Sequence, residues 1–168
     1  MIGIIIIIVS LLVDGLLSNY LPFMVNDLSL FTPLFTLVSI SLLYPYYRKR
    51  EKHFFIMIFI TGMVYDLFYT NLVFFNGVLF LLIACFSKKV FHTYEMDYLK
   101  LIVYLILVIV IYESVTGLIL FTFHIVPITF SRVLYKITHS LILNIIYGEL
   151  VYLILNKLPK KYKKISIN

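Results

Sequence analysis

The chain has one cysteine, one alanine and no tryptophan in 168 residues, and only 13% of its residues are charged. A soluble domain needs about a quarter charged residues to cover its surface. The shortage of charge, with 62% hydrophobic residues and a mean hydropathy of +1.05, therefore excludes one and makes this a membrane chain. The only cysteine, Cys85, stands inside an apolar run, which rules out an intramolecular disulfide and a cysteine-built metal site. The segments between apolar runs are too short to hold a soluble catalytic domain. No two of the four histidines are spaced i, i+3 or i, i+4, and neither H-E-x-x-H nor G-x-S-x-G occurs. No metal, cofactor or catalytic role is expected.

What is there is a series of apolar runs. A membrane helix needs about 20 such residues, and the runs predict an all-α polytopic membrane helix bundle. It is read as one integral membrane domain over 1–168, with six transmembrane helices at about 2–23, 29–47, 54–70, 71–87, 99–123 and 130–157. The N-terminal run lacks a basic lead and a small-residue cleavage pattern, and reads as a retained first helix. Pro22, Pro33 and Pro45 bracket the first two helices as punctuation. The segment 87–100, "SKKVFHTYEMDYLK", is open to two readings, an interfacial helix or a solvated loop.

Lys and Arg test the divisions independently of hydropathy. With both termini in the cytoplasm, 12 of the 14 basic residues fall on the inner side, and only Arg132 and Lys136 on the outer. That is the asymmetry of the positive-inside rule. Joining the third and fourth helices into one would put "RKREK" and "KK" on opposite faces. The net charge of +6 is thus an orientation signal, with the lipid bilayer as its partner and no nucleic acid.

Four acids fall within the spans: Asp14, Asp66, Glu113 and Glu149. A charge at a helix centre costs about 2.5–3.5 kcal/mol on insertion scales, so each needs a partner, a wet cavity or a reachable surface. Helical spacing groups them with small or polar residues. Ser10, Asp14 and Ser18 form one stripe, Gly62 and Asp66 a second, Glu113 and Gly117 a third, and Lys136, Ser140, Asn144 and Gly148 a fourth beside His139. Small residues let membrane helices approach closely, and polar ones hydrogen-bond across the gap. For the Ser and Gly members this is bundle glue; for the acids, glue and functional site both stand. A protease built from Glu113, Glu149 and His139 has no spacing to support it.

The segments "LFTPLFTLVSISLL" at 30–43 and "GMVYDLFYT" at 62–70 resemble the MreD family, the small multi-span subunit of the bacterial rod-shape complex. The family's most recognisable segment sets a Gly and an Asp before a Gly-rich turn, and Gly62 and Asp66 match it. Thr70 and Asn71 stand where glycines are usual. The resemblance implies a fold similar to the S components of energy-coupling-factor vitamin transporters. It also implies a noncatalytic scaffold in the bacterial cytoplasmic membrane that binds MreC and helps couple MreB filaments to peptidoglycan synthesis by RodA and a penicillin-binding transpeptidase. On it, Asp66 accepts hydrogen bonds from the turn around Thr70 and Asn71 and shapes a partner-binding hairpin. The rival reading is a transporter S component, but those couple through an Ala-x-x-x-Ala pattern on the first helix, and this first helix has no alanine.

Overall fold

The computed structural model describes residues 2–20, 32–70, 74–94, 96–123 and 130–157. Among them the chain is almost entirely helical, and no strand occurs. The helices are α1 (Ile2–Tyr20), α2 (Phe35–Tyr47), α3 (Glu51–Tyr65), α4 (Phe75–Thr93), α5 (Tyr98–Thr122) and α6 (Phe130–Lys157). A 3₁₀ turn, Arg48–Arg50, joins α2 to α3, and α3 is prolonged by a π-helical turn, Asp66–Thr70. Four helical stretches are long and apolar enough to cross a membrane: Phe35–Tyr69, Phe75–Thr93, Tyr98–Thr122 and Val133–Lys157; Ile2–Ser18 is a shorter apolar helix.

Phe35–Tyr69 is not one rod. Tyr44 packs by Phe91 and Arg48 by His92, so α2 runs in the same direction as α4. Tyr65 packs on Phe80 while Glu51 pairs with Lys88, so α3 runs against α4. The chain therefore reverses at the 3₁₀ turn, where Tyr44 donates to Glu51 at 2.7 Å and packs edge-on against Phe54.

α2 is the central element. Every residue from Phe35 to Tyr44 is buried, as expected of a helix that is apolar on all faces and walled in by others. α1 lies on it through Ser10 and Asp14, α4 and α5 through the Ser87–Tyr104 pair, and α6 through Asn144, Tyr147 and Gly148. With 13 residues it is about 20 Å long at 1.5 Å per residue, short of a hydrocarbon core of about 30 Å. A helix of that length does not cross such a core by itself.

The third helix begins at Glu51 instead of 54, and larger differences from the sequence expectation fall at the second and fourth helices. Thr32, Pro33 and Leu34 are not helical, so the second helix starts at Phe35 instead of 29; residues 29–31 lie outside the described set. Proline disfavours helical backbone in the residue before it, and side chains of α1 and α6 take the amides that follow. The fourth helix begins at Phe75 and continues past Ser87 to Thr93, because Lys88 finds Glu51 at 2.6 Å and cations suit a helix C-terminus. The segment 87–100 is thus neither interfacial helix nor simple loop, but is divided between the end of α4 and the start of α5.

Pro45 lies inside α2 and does not end it. A proline has no N–H for the carbonyl four residues back, which here is Ser41. The Tyr104 hydroxyl donates to that carbonyl at 3.0 Å and lies 2.6 Å from Ser87 Oγ, so the buried oxygen stays bonded.

Candidate functional site

The polar interior is organised by helix ends. The first amides of a helix have no partner within it, and in hydrocarbon each such group costs several kcal/mol if left alone. α2 and α4 both meet this requirement with a carboxylate borrowed from a preceding helix.

At α4 the carboxylate is Asp66, which is 2% exposed. Its two oxygens accept the Asn76 backbone N–H at 3.0 and 2.9 Å, one also accepts Asn76 Nδ2 at 2.8 Å, and Gly77 N–H approaches at 3.4 Å. Tyr112 on α5 donates to Asn76 Oδ1 at 2.7 Å, extending the network to a third helix. A negative group at a helix N-terminus also complements the helix dipole. The donors described for Asp66 are therefore Asn76 and Gly77. Thr70 closes the π-helical turn, and Asn71 lies outside the described residues.

Gly62 makes this arrangement possible. A Cβ there would stand 2.5 Å from Gly77 Cα and 2.6 Å from the Asn76 carbonyl oxygen, so α3 and α4 touch backbone to backbone. The approach depends on having no side chain at that point. Just before α4, Phe74 holds a left-handed backbone, φ 67°, a conformation that glycine adopts without strain. Its ring is held over Phe59 at 6.3 Å.

At α2 the carboxylate is Asp14, 1% exposed on α1. Each oxygen accepts one backbone N–H, from Phe35 and from Thr36, both at 2.8 Å. The amide before them, Leu34, donates to Asn144 Oδ1 of α6 at 2.8 Å. Asn144 Nδ2 in turn donates to the Thr32 and Ser140 carbonyls. One turn deeper, Ser10, Ser39 and Tyr147 form a hydroxyl triangle with sides of 2.6, 2.7 and 3.1 Å. Ser18, the third member of the predicted α1 stripe, is exposed.

The other two acids also reach across helices. Glu113 on α5 is 2% exposed and pairs with Lys136 of α6 at 3.1 Å. Gly117, one turn further along α5, lies against Val133. Glu149 accepts from the Tyr98 hydroxyl at 2.8 Å at an exposed position. His139 bonds within its own helix, with Nδ1 2.8 Å from the Tyr135 carbonyl and its ring against Tyr135. His139 and Glu149 are ten residues apart on α6, about 15 Å along the axis, and the structure does not assemble them with Glu113 into one site. No group of three or more potential metal ligands occurs among the described residues.

Comparison with family models, with curated proteins and with solved structures finds no match.

Sequence reasoning missed two participants, Asn76 and Tyr112, which complete the Asp66 network, and it placed Lys136 on a polar stripe without pairing it with Glu113. Asn76 carried a signal, since an asparagine beside a glycine ten residues after Asp66 falls opposite it in a helical hairpin. Lys136 carried a weaker one, a lone cation in a run otherwise apolar enough to span.

Proposed function

We propose that this chain is a noncatalytic membrane scaffold of the MreD kind, crossing the bacterial cytoplasmic membrane six times with both termini in the cytoplasm. On this reading it binds MreC and helps couple MreB filaments to peptidoglycan synthesis by RodA and its penicillin-binding partner. One observation carries it: each of the four acids within the spans is bonded to a different helix from its own. Carboxylates so engaged fix helix positions. With both oxygens engaged, Asp14 and Asp66 are not free to move protons or bind a charged solute, as an enzyme or a vitamin transporter requires. The N-terminus of α2, on this reading within the hydrocarbon, is the kind of helix end at which a transporter built on broken helices receives an anion, and here Asp14 fills it. The Gly62–Asp66 segment, on which the MreD resemblance rests, is fastened to α4 through Asn76 and Gly77, and on this reading the hairpin it fixes is what a partner helix meets.

The test is mass spectrometry of what copurifies with an affinity-tagged copy from mildly solubilised native membranes. A coiled-coil, single-span protein recovered with wall synthases supports the scaffold. Paired ATPases with a multi-span coupling subunit overturn it in favour of a transporter S component.

A further inference from the structure

Between α1 and α3 lies an apolar groove of about 540 Å³. Ile7 and Thr61, both buried, form its floor, and Ile4, Ile8, Ile56 and Ile60 form its walls. Beyond one end of the groove Tyr69 crosses from the π-helical turn to α1, its hydroxyl donating to the Leu11 carbonyl at 2.8 Å and its ring lying against Gly15. The other end is open and lined by His53. Gly3 packs against Tyr47 there, which brings the start of α1 to the same end as the 3₁₀ turn with Lys49 and Arg50. Lys49, Arg50 and Lys52 are exposed and enter no ion pair among the described residues. The one acid nearby, Glu51, is engaged by Lys88 and Tyr44 toward α4.

Length decides what fits. From Ile4 to Leu12 the groove follows α1 for about 12 Å, and from His53 to Val64 it follows α3 for about 16 Å. One leaflet of a hydrocarbon core of about 30 Å is about 15 Å deep. A partner's transmembrane helix runs through both leaflets and would collide with the Tyr69 crossing. An acyl chain ends at mid-membrane and leaves its headgroup at the open, basic mouth.

We infer that the α1–α3 groove is a binding site for one anionic phospholipid, its acyl chain against Ile7 and Thr61 and its phosphate at Lys49, Arg50, Lys52 and His53. Charge complementarity at the mouth selects the headgroup, and the Tyr69 crossing limits the length of the chain. The inference is independent of the scaffold reading, because it holds for either functional class and either orientation of the bundle.

The experiment is native mass spectrometry of the delipidated, full-length protein titrated with dioleoylphosphatidylglycerol or dioleoylphosphatidylcholine. One phosphatidylglycerol should be retained in preference to phosphatidylcholine. Lys49→Gln/Arg50→Gln/Lys52→Gln should weaken phosphatidylglycerol alone, by about fivefold per charge removed. Ile8→Trp/Ile60→Trp, which fills the groove, should abolish the retained molecule of either lipid. Leu153→Trp, on a lipid-exposed face of α6, should leave it in place. All variants are compared at equal helicity by circular dichroism. Equal retention of the two lipids, retention that survives the filled groove, or a copurifying single-span helix that crosslinks to Ile8 in place of lipid would each overturn the assignment.

Discussion

Asp14 and Asp66 perform the same task at different range. Asp66 holds the start of a helix ten residues ahead, in its own hairpin, and both of its oxygens converge on one amide, Asn76. Asp14 reaches 21 and 22 residues ahead, gives one oxygen to each of two amides, and needs Asn144, more than a hundred residues further on, to satisfy the third. The first is a local device that a short stretch of sequence can encode. The second exists only in the assembled bundle.

The contrast orders the expected effects of mutation. The largest belongs to the hairpin itself. Gly62→Val forces α3 away from α4 against backbone atoms that cannot give, at more than about 3 kcal/mol, and should abolish a monodisperse peak in size exclusion while Gly117→Ala, which meets only the Val133 side chain, retains one.

Next comes the pair of buried Glu113 with half-exposed Lys136. Lys136→Met leaves Glu113 without its counterion and should cost about 2–3 kcal/mol in reversible unfolding, less than a fully buried pair because water reaches the lysine, whereas Glu113→Gln/Lys136→Met should recover most of that loss. A single and a double variant of equal stability would show that the pair is not coupled.

The comparison of the two carboxylates is sharpened by the same substitution at each. An asparagine at 66 can keep the oxygen that accepts both Asn76 N–H and Asn76 Nδ2 and turn its NH₂ toward the shared amide and the more distant Gly77 N–H at 3.4 Å, but an asparagine at 14 must turn its NH₂ toward one of two donors at 2.8 Å, each of which has only that oxygen. Asp14→Asn should therefore cost about 2 kcal/mol and Asp66→Asn about 1 kcal/mol, read as thermal midpoints in one detergent; the reverse order would break the argument. In cells, the scaffold reading expects Asp66→Asn, at normal membrane levels, to alter partner binding or cell shape more than its small stability loss explains.

The smallest effect is at Pro45. Tyr104→Phe removes the donor to the Ser41 carbonyl and should cost about 0.5–1 kcal/mol. The cost should shrink in a Pro45→Ala background, where a backbone N–H returns to that carbonyl.

How much of this was legible follows the same division. Basic clusters and apolar runs located the reversal at Arg48–Arg50 and the break before α4, because charge and hydropathy act on each segment separately. Gly62 and Asp66 stood out because an acid in an apolar run has a known penalty and a glycine one turn away has a known use. The late start of α2 did not stand out. "FTPLFT" is apolar enough to extend a span, and beyond Pro33 what starts the helix at Phe35 is Asp14 on α1 together with an asparagine more than a hundred residues away. The pairing of Glu113 with Lys136 was hidden for a related reason: depth along two different helices must coincide, and sequence gives each depth only to within a turn.

The debt of α2 to Asn144 bears on biogenesis. Ribosomes deliver α1 and α2 to the membrane long before α6, and until α6 is inserted the Leu34 amide and the Thr32 carbonyl lack the side chain that bonds them. The half-made protein must keep that end of α2 hydrated or shielded by the insertion machinery. The most buried helix is thus among the first made, yet its N-terminus is satisfied only once α6 arrives to latch it.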